Sequence, residues 1–375
     1  MNTISISRRK FAHLLGVGAA AAIVKPSFGL AKQTQSTWAF PSTDAKVVRL
    51  SANENPYGPS PNALKAMTDS FGLSCRYPDE HNNVLITKLA KLNNVGPDHI
   101  LLGDGSGEIL KLCAETFTGN GRGKLVAGTP TFEAILVNAT ANGADVVKVP
   151  LTSTFAHDLP KMLAAADRGL VYVCNPNNPT ASITPKDELR DFIANTPRNT
   201  MILVDEAYFH YADSPQYETT IQLVKDHPNL IVSRTFSKIY GMAGLRCGYC
   251  VAQKETLEQL RAHQMWDSVN IMALAAASAS LDDPAQVPTG QRSNNEVKAF
   301  TIGELDKMGC KTIPSQANFI MFDCKRPVVP LIKTMKDRNV HVGRLFPPVP
   351  NYMRVTIGKK SEMESFLNTL KQVMV

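Results

Sequence analysis

The residues best suited to chemistry lie between positions 233 and 246, directly after the short apolar run at residues 230–232. The segment Ser-Arg-Thr-Phe-Ser-Lys supplies hydroxyls at Thr235 and Ser237 and an amine at Lys238, and a glycine-containing turn then leads to Arg246. An amine at the end of a buried strand can form a Schiff base with an aldehyde, while hydroxyls and a guanidinium can hold a phosphate. Pyridoxal 5′-phosphate (PLP) carries both groups. Taken alone, this short segment fits a surface turn equally well.

Polar residues follow other apolar runs, and ligands of a parallel sheet bind at such strand ends. A carboxylate at Asp205 is costly to bury unless it is paired, and a protonated pyridine nitrogen is a suitable partner. Tyr208 could donate to the phenolic oxygen of the same ring, and the two Asn-Pro steps at residues 175–179 leave the Asn178 amide able to donate a hydrogen bond. A metal-binding Asp205-Glu206 pair is the alternative, but no phosphate-loop lysine motif precedes it, and we expect no metal.

Two more segments could contact such a cofactor. Gly105 and Ser106 fall at the start of a predicted helix, where free backbone N–H groups bind anions. The glycine spacing is not that of the dinucleotide fingerprint, and an ordinary tight turn fits as well. Phe132 could stack on a planar ring, which contributes about 0.5–1.5 kcal/mol beyond burial, although a core position explains a single phenylalanine too.

Helical stretches alternate with short apolar runs along most of the chain. This alternation indicates an α/β fold with a mainly parallel sheet covered on both faces. The predicted strands lie at residues 99–102, 125–127, 146–149, 170–173, 201–204 and 230–232. The predicted helices lie at residues 84–93, 107–117, 132–142, 185–195, 216–226 and 271–281. Helices at 290–308, 328–338 and 361–373, with strands at 318–322 and 352–357, then predict a smaller α+β domain joined by residues near 46–70.

The first 31 residues are typical of an export signal. A paired arginine at Arg8 and Arg9 precedes a mildly apolar run, and small residues stand at Gly29 and Ala31. The run is shorter than the roughly 20 residues that span a bilayer, and it resembles a twin-arginine signal, which is an address and not an anchor. We therefore expect a periplasmic protein without stable membrane association, although a chance basic N-terminus on a cytosolic protein is the alternative. The expected parts are 1–31 (signal), 32–75 (N-terminal arm and part of the small domain), 76–275 (large domain) and 276–375 (small domain).

Charge and cysteine content narrow the possible partners. Residues 1–31 hold four basic and no acidic residues, so the formal charge of +7 falls to +3 without them (7 − 4). We therefore expect no nucleic-acid partner. The seven cysteines lack zinc-site spacing. Cys247 and Cys250 are three apart in a predicted strand and so point to opposite faces, which predicts free buried thiols.

In order and spacing, these segments resemble the histidinol-phosphate aminotransferase group of the fold-type I, PLP-dependent aminotransferases. The matching stretches cover the chain after residue 31 nearly end to end. They are NENPYGP (53–59), RYPD (76–79), GDGS (103–106), NPNNPT (175–180), DEAY (205–208), RTFSK (234–238), GLR (244–246) and RVTIG (354–358). The resemblance implies a fold-type I large domain with a seven-stranded-type, mainly parallel sheet.

The resemblance also implies roles for individual residues. Lys238 would carry the cofactor and move the substrate α-proton, Asp205 would hold the pyridinium, and Asn178 and Tyr208 would hold the phenolate oxygen. The residues implied for the phosphate and the ring face are Gly105, Ser106, Thr235, Ser237, Arg246 and, in place of the usual tyrosine, Phe132.

Substrate and subunit contacts are implied as well. Arg354 would bind the substrate α-carboxylate through two hydrogen bonds, with Asn55 as a further substrate contact. Arg344 could hold a second anionic group, or be a solvated loop arginine. Tyr57 would reach the cofactor phosphate of a neighbouring subunit, which implies a homodimer.

The expected activity is therefore PLP-dependent transamination between an amino acid, or a similar amine, and a 2-oxo acid. A PLP-dependent decarboxylase or lyase on the same scaffold is the alternative, because fold does not decide reaction type. A non-catalytic PLP-binding protein is a third possibility. The chain departs from the family pattern at Gly107 and Ala181. The export signal departs further: histidine biosynthesis is cytoplasmic, so an exported protein is expected to serve another substrate.

Overall fold

The computed structural model describes residues 47–374. The predicted export signal at residues 1–31 lies outside the described residues. Within residues 47–374, no helix has both the length and the apolar character that crossing a membrane requires.

The described chain alternates strands and helices. The strands are β1 (Val48–Arg49), β2 (Ile100–Asp104), β3 (Lys124–Thr129), β4 (Val146–Pro150), β5 (Gly169–Cys174), β6 (Thr200–Asp205), β7 (Leu230–Thr235), β8 (Cys247–Val251), β9 (Phe319–Asp323), β10 (Val340–His341) and β11 (Tyr352–Thr356). The helices are α1 (Pro61–Asp69), α2 (Asp79–Asn93), α3 (Gly105–Phe117), α4 (Ala134–Ala141), α5 (Leu159–Ala165), α6 (Lys186–Asn195), α7 (Lys254–Arg261), α8 (Ile271–Leu281), α9 (Gln286–Lys307), α10 (Val328–Asp337) and α11 (Lys360–Met374).

Seven strands form the main sheet in the order β2-β8-β7-β6-β5-β3-β4. Strands β3 to β7 pair in parallel, whereas β8 is antiparallel to both of its neighbours. Helices cover both faces, so the central strands are buried on both sides and are rich in apolar residues. All six residues of β5 are buried, with Val171 in one core cluster and Tyr172 in the other. The predicted mainly parallel α/β sheet is confirmed.

Two helices near the ends of this sheet show how local sequence sets their starts. Ser60 caps α1 by accepting a hydrogen bond from the N–H of Ala63, and Pro61 occupies the first helical position. Asn270 caps the alanine-rich α8 in the same way. The two helices pack on each other, which explains why α8 is buried as predicted.

One predicted helix is wrong. Residues 216–226 contain only a short 3₁₀ turn, Ile221–Leu223. The reason is a competing partner: Thr219 and Thr220 donate their hydroxyls to the Glu206 carboxylate, as does the Thr220 N–H. These bonds to a buried acid replace the helical ones. Sequence analysis also omitted α1, α5 and α7.

Two small sheets and a third core cluster combine residues 48–50 with residues from the C-terminal part of the chain. Strand β9 pairs antiparallel with β11, and β1 pairs in parallel with β10. Leu50 joins this cluster with Ile320 and Phe366, whereas α1 packs against α8. The domain boundaries at residues 75 and 275 stay a prediction.

The cysteines are free thiols. Six are buried and Cys75 is exposed. Cys247 belongs to one core cluster and Cys250 to the other, so the two point to opposite faces of β8 as predicted.

Candidate active site

A cavity of about 340 Å³ opens at the carboxyl ends of the main-sheet strands. Most of the site residues predicted from sequence line it. They are Ser106, Phe132, Asn178, Asp205, Tyr208, Thr235, Ser237, Lys238, Arg246, Arg344 and Arg354. Gly105 lies at its edge, next to Ser106, and Asn55 and Tyr57 lie outside its lining.

The Lys238 amine has one hydrogen-bond partner, the Asn53 carbonyl oxygen at 3.2 Å. Burial, and then the positive charge of Arg354, lowers the pKa of Lys238 to about 8. The amine therefore loses its proton more readily than an ordinary lysine, and the neutral form is the one that attacks an aldehyde.

Asp205 ends β6 and is buried. Its Oδ2 accepts a hydrogen bond from the Tyr172 hydroxyl at 2.9 Å, and its Oδ1 accepts from the Ala207 N–H at 3.1 Å. Burial raises the pKa of Asp205 to about 6, and the Tyr172 hydrogen bond opposes this rise. A buried, ionised carboxylate is costly unless it is paired, and a cationic ring nitrogen would supply such a partner.

Tyr208 is held by two amides. Asn53 Nδ2 donates to its hydroxyl oxygen at 3.0 Å, and Asn178 Nδ2 donates at 3.3 Å. Burial raises the pKa of Tyr208, so the phenol keeps its proton. Because both amides are donors, that proton is free for an acceptor in the cavity.

The start of α3 and Arg246 form a small cradle. Gly105 has a φ of +70°, and a Cβ atom on it would collide with the Arg246 guanidinium. A Cβ on Gly248 would likewise collide with the backbone nitrogen of Ser106. Only glycine at these two positions lets the guanidinium and the helix N-terminus come together, and such a pair of donors suits a phosphate.

Two hydroxyls complete the cradle. Thr235 Oγ1 donates to Ser237 Oγ at 2.9 Å and accepts from the Ser237 N–H at 3.0 Å. This compact turn places both hydroxyls on the cavity wall.

Arg354 projects from β11 into the cavity and is buried. Its Nη1 donates to Asn178 Oδ1 at 2.7 Å and its Nη2 donates to the Ser51 carbonyl oxygen at 2.5 Å. Its Nε is buried and has no hydrogen-bond partner. A fixed guanidinium in the lining of a cavity is a suitable contact for a carboxylate.

Of the remaining predicted site residues, two line the cavity and two lie outside its lining. Phe132 lines the cavity and is partly exposed, while Arg344 lines it but forms an ion pair with Glu133 at 2.5 Å. The Asn55 amide donates to the Ile239 carbonyl oxygen and its oxygen accepts from the Tyr57 N–H. The Tyr57 side chain is 53% exposed. The proposed contacts of Asn55 and Tyr57 stay predictions.

The Asp-Glu metal alternative does not fit the geometry. The Glu206 carboxylate points to Arg234, whose Nε and Nη2 donate to its Oε2 at 3.1 and 2.9 Å. Both side chains are buried, so Glu206 serves an internal ion pair. Across residues 47–374, no three His, Cys, Asp or Glu side chains group as metal ligands do.

Sequence analysis missed two residues of this site. Asn53 contacts both Lys238 and Tyr208, and its φ of 55° is one that asparagine tolerates better than most residues. Tyr172 looked like an ordinary apolar strand residue. Neither role has a local sequence signal, because each depends on a partner more than 30 positions away.

The residues fit PLP. A lysine with a lowered pKa suits its aldehyde, the cradle of Gly105, Ser106 and Arg246 suits its phosphate, and a buried carboxylate suits its ring nitrogen. The Arg354 guanidinium in the cavity lining suits the carboxylate of a substrate. The sheet and this site together define a fold-type I PLP-dependent enzyme.

Comparison with known proteins gives the family. Residues 45–370 match the family model for aminotransferase class I and II, and the chain belongs to that family. It is a PLP-dependent aminotransferase. The histidinol-phosphate aminotransferase of Moorella thermoacetica is 36% identical over 333 residues, covering 88% of this chain and 86% of the relative. The Bacillus subtilis enzyme of the same name is 34% identical, with 88% and 92% covered.

Comparison with solved structures supports the same fold. Histidinol-phosphate aminotransferase from Sinorhizobium meliloti, in complex with pyridoxal-5′-phosphate, superposes with a TM-score of 0.81 at 26% identity, covering 88% of this chain and 91% of that one. L-threonine-O-3-phosphate decarboxylase from Porphyromonas gingivalis has a TM-score of 0.75 at 23% identity, covering 87% and 98%. At that identity the second likeness concerns the fold alone.

Proposed function

We propose that this chain is an exported, homodimeric transaminase whose cavity binds the α-carboxylate of its substrates through Arg354. The observation that carries the proposal is the meeting of three groups in one cavity: Lys238 with a lowered pKa, a buried Asp205 and an Arg354 whose guanidinium is held in place. Bound PLP supplies an electron-withdrawing ring that weakens the bonds to the substrate α-carbon.

Lys238 acts as the proton carrier. Its Nζ would take the proton from the substrate α-carbon and deliver it to the cofactor carbon that gains the amino group. The pKa of about 8 supports this role, because a general base works best when its pKa lies near the working pH. The Asn53 carbonyl, 3.2 Å from Nζ, orients the amine.

Arg354 and Tyr208 orient the reactants. The Asn178 and Ser51 oxygens fix the guanidinium of Arg354, a residue of the cavity lining, so its orientation is set before any substrate arrives. The Tyr208 proton is available to the phenolic oxygen of the ring, because both neighbouring amides donate to Tyr208. Asp205 pairs with the ring nitrogen.

The identity of the amino donor depends on which anionic groups the cavity can bind. The curated relatives are named histidinol-phosphate aminotransferases, yet an exported chain would meet other amines than those of a cytoplasmic pathway. A second anionic group on the substrate would have to compete with Glu133 for Arg344. We therefore propose a donor that relies on Arg354 more than on Arg344.

A panel of donors tests the activity. Purified protein loaded with PLP is incubated with single amino acids and with histidinol phosphate, and the absorbance of the bound cofactor is followed. A transaminase transfers the amino group to the cofactor without releasing carbon dioxide, and a 2-oxo acid then reverses the spectrum. Carbon dioxide release would indicate a decarboxylase, and an unchanged spectrum with every donor would contradict the proposed function.

An exposed aromatic patch supports the homodimer. Tyr77 is 81% exposed and Trp266 is 93% exposed, and both line one groove. Met265 beside Trp266 is 79% exposed. Large apolar side chains this exposed, and this close together, mark an interaction surface, and we assign it to a second copy of the chain.

Light scattering during size exclusion tests that assignment. Trp266→Glu should yield a monomer, whereas Val329→Glu, at an exposed apolar position on α10, should remain a dimer. A wild-type chain that is monomeric at micromolar concentration would refute the homodimer.

Export rests on residues 7–31, outside the described residues. Fractionation of bacteria that express the full chain should place it in the periplasm. Replacing both Arg8 and Arg9 by lysine should retain it in the cytoplasm, since receptors for this signal read the arginine pair. Equal distribution of the two chains would contradict export by this route.

A further inference from the structure

Tyr172 lies in the middle of β5 and is completely buried, at 0% exposure. It does not line the cavity. In the sheet it stands opposite Leu203 of β6, and its hydroxyl reaches diagonally to Asp205, two residues further along that strand. The resulting hydrogen bond, 2.9 Å long, joins a phenol to the carboxylate assigned to the ring nitrogen.

Asp205 has few other partners. Its Oδ1 accepts from the Ala207 N–H at 3.1 Å, so within the described residues each carboxylate oxygen receives one protein donor. Each oxygen keeps lone-pair capacity for a ring N–H. The titratable groups around it include Tyr172 and Cys174 from β5, Lys238 after β7 and, after β6, Glu206, Tyr208 and Tyr217.

A hydrogen bond to a carboxylate favours its ionised form and makes it a weaker base. A carboxylate and a pyridine nitrogen that share a hydrogen bond compete for one proton. If the carboxylate becomes a weaker base, the proton stays on the nitrogen for a larger fraction of the time. Burial works in the opposite direction, since it favours the neutral carboxyl. Tyr172 itself cannot lose its proton in the accessible pH range, because burial and then the Asp205 charge raise its pKa.

We propose that Tyr172 is a positioning residue that keeps Asp205 ionised and correctly oriented, and thereby keeps the proton on the ring nitrogen of the cofactor. The proposal rests on the assignment of Asp205 as the partner of that nitrogen. Tyr172 contacts neither substrate nor cofactor and acts only through Asp205.

The experiment uses Tyr172→Phe, which retains the buried ring and removes only the hydroxyl. The holoenzyme is loaded with PLP labelled with ¹⁵N in the ring, and the nitrogen resonance is recorded. We expect it to move from the protonated position toward that of neutral pyridine. Loss of a hydrogen bond to a charged group should also reduce kcat by about tenfold to a hundredfold, whereas KM should stay near its wild-type value, because Tyr172 touches no substrate.

Two controls separate the possible failures. Tyr211→Phe alters another buried tyrosine whose hydroxyl does not bond to Asp205, and it should leave the nitrogen resonance in place. Asp205→Asn should move the resonance further than Tyr172→Phe does. If Asp205→Asn leaves it unmoved, the assignment of Asp205 fails; if only Tyr172→Phe leaves it unmoved, the role of Tyr172 is overturned.

Discussion

Arg354→Lys probes the substrate contact most directly. In the structure the guanidinium uses Nη1 for Asn178 and Nη2 for Ser51, and its Nε is the donor without a protein partner. A lysine retains the charge but has a single nitrogen. That nitrogen cannot keep both protein contacts and also approach a carboxylate in the planar geometry of a guanidinium.

The size of the effect follows from the bond that is lost. A hydrogen bond between charged groups contributes roughly 1.5–3 kcal/mol, which corresponds to a decrease in kcat/KM on the order of ten- to a hundredfold. The decrease should fall mainly on KM, because the contact exists both before and during the reaction. Arg344→Lys is the matched control: its side chain is exposed and already paired with Glu133, so its effect should be smaller.

The assay compares substrates that have an α-carboxylate with an amine that lacks one. Absorbance of the bound cofactor gives KM for each amino donor and each 2-oxo acid. Every α-carboxylate substrate should lose affinity, and an amino alcohol donor should not. A loss confined to one carboxylate substrate, or an equal loss for the amino alcohol, would show that Arg354 has no general role in carboxylate binding.

Four more predictions follow from the same contacts. Lys238→Ala should abolish both turnover and the visible absorbance of covalently held PLP; normal turnover would contradict its role. Because burial lowers the pKa of Lys238 to about 8, PLP capture by the apoprotein should speed up as the pH rises through 8 and level off above it; a rise that continues to pH 10 would contradict the shift. Glu206→Gln leaves the buried Arg234 without a counter-charge, and urea titration should show a loss of about 3–5 kcal/mol in unfolding free energy; a loss under about 1 kcal/mol would show that the pair is well solvated. Asn53→Gly keeps the positive φ and the carbonyl that faces Lys238 but removes the amide that holds Tyr208, so stopped-flow assays should show slower turnover with normal PLP capture; equal effects on both would refute the separation of roles.

The fold was predictable wherever burial dominates. Strands such as β5 and β7 are buried on both faces because helices cover both faces of the sheet, and each contains a short apolar run that is visible in a few consecutive residues. The predicted helix at 216–226 failed because its backbone and hydroxyls bond to Glu206. A distant buried acid outweighs local helix propensity there, and no window of sequence contains both partners.

Some residues of the candidate site could likewise be predicted from the sequence, and others could not. Lys238, Asp205 and Asn178 lie at or just after strand ends, where a parallel sheet binds its ligands, so sequence alone predicted that they lie close together. Arg354 comes from a separate small sheet, and its place in the cavity follows from its pairing opposite Met321 in β9. Resemblance to a family supplied that residue; strand patterns did not.

Asn53 shows why the two groups of residues form one site. Its carbonyl oxygen accepts from Lys238, its amide donates to Tyr208, and its N–H donates to Thr356 Oγ1 at 2.9 Å on β11, two residues from Arg354. One buried residue in the left-handed region thus ties the lysine and the tyrosine of the main sheet to the strand that carries the substrate arginine. A shift of β11 therefore moves Arg354 and the supports of Lys238 and Tyr208 together. This coupling implies that carboxylate binding at Arg354 and the orientation of the lysine amine depend on the same backbone segment.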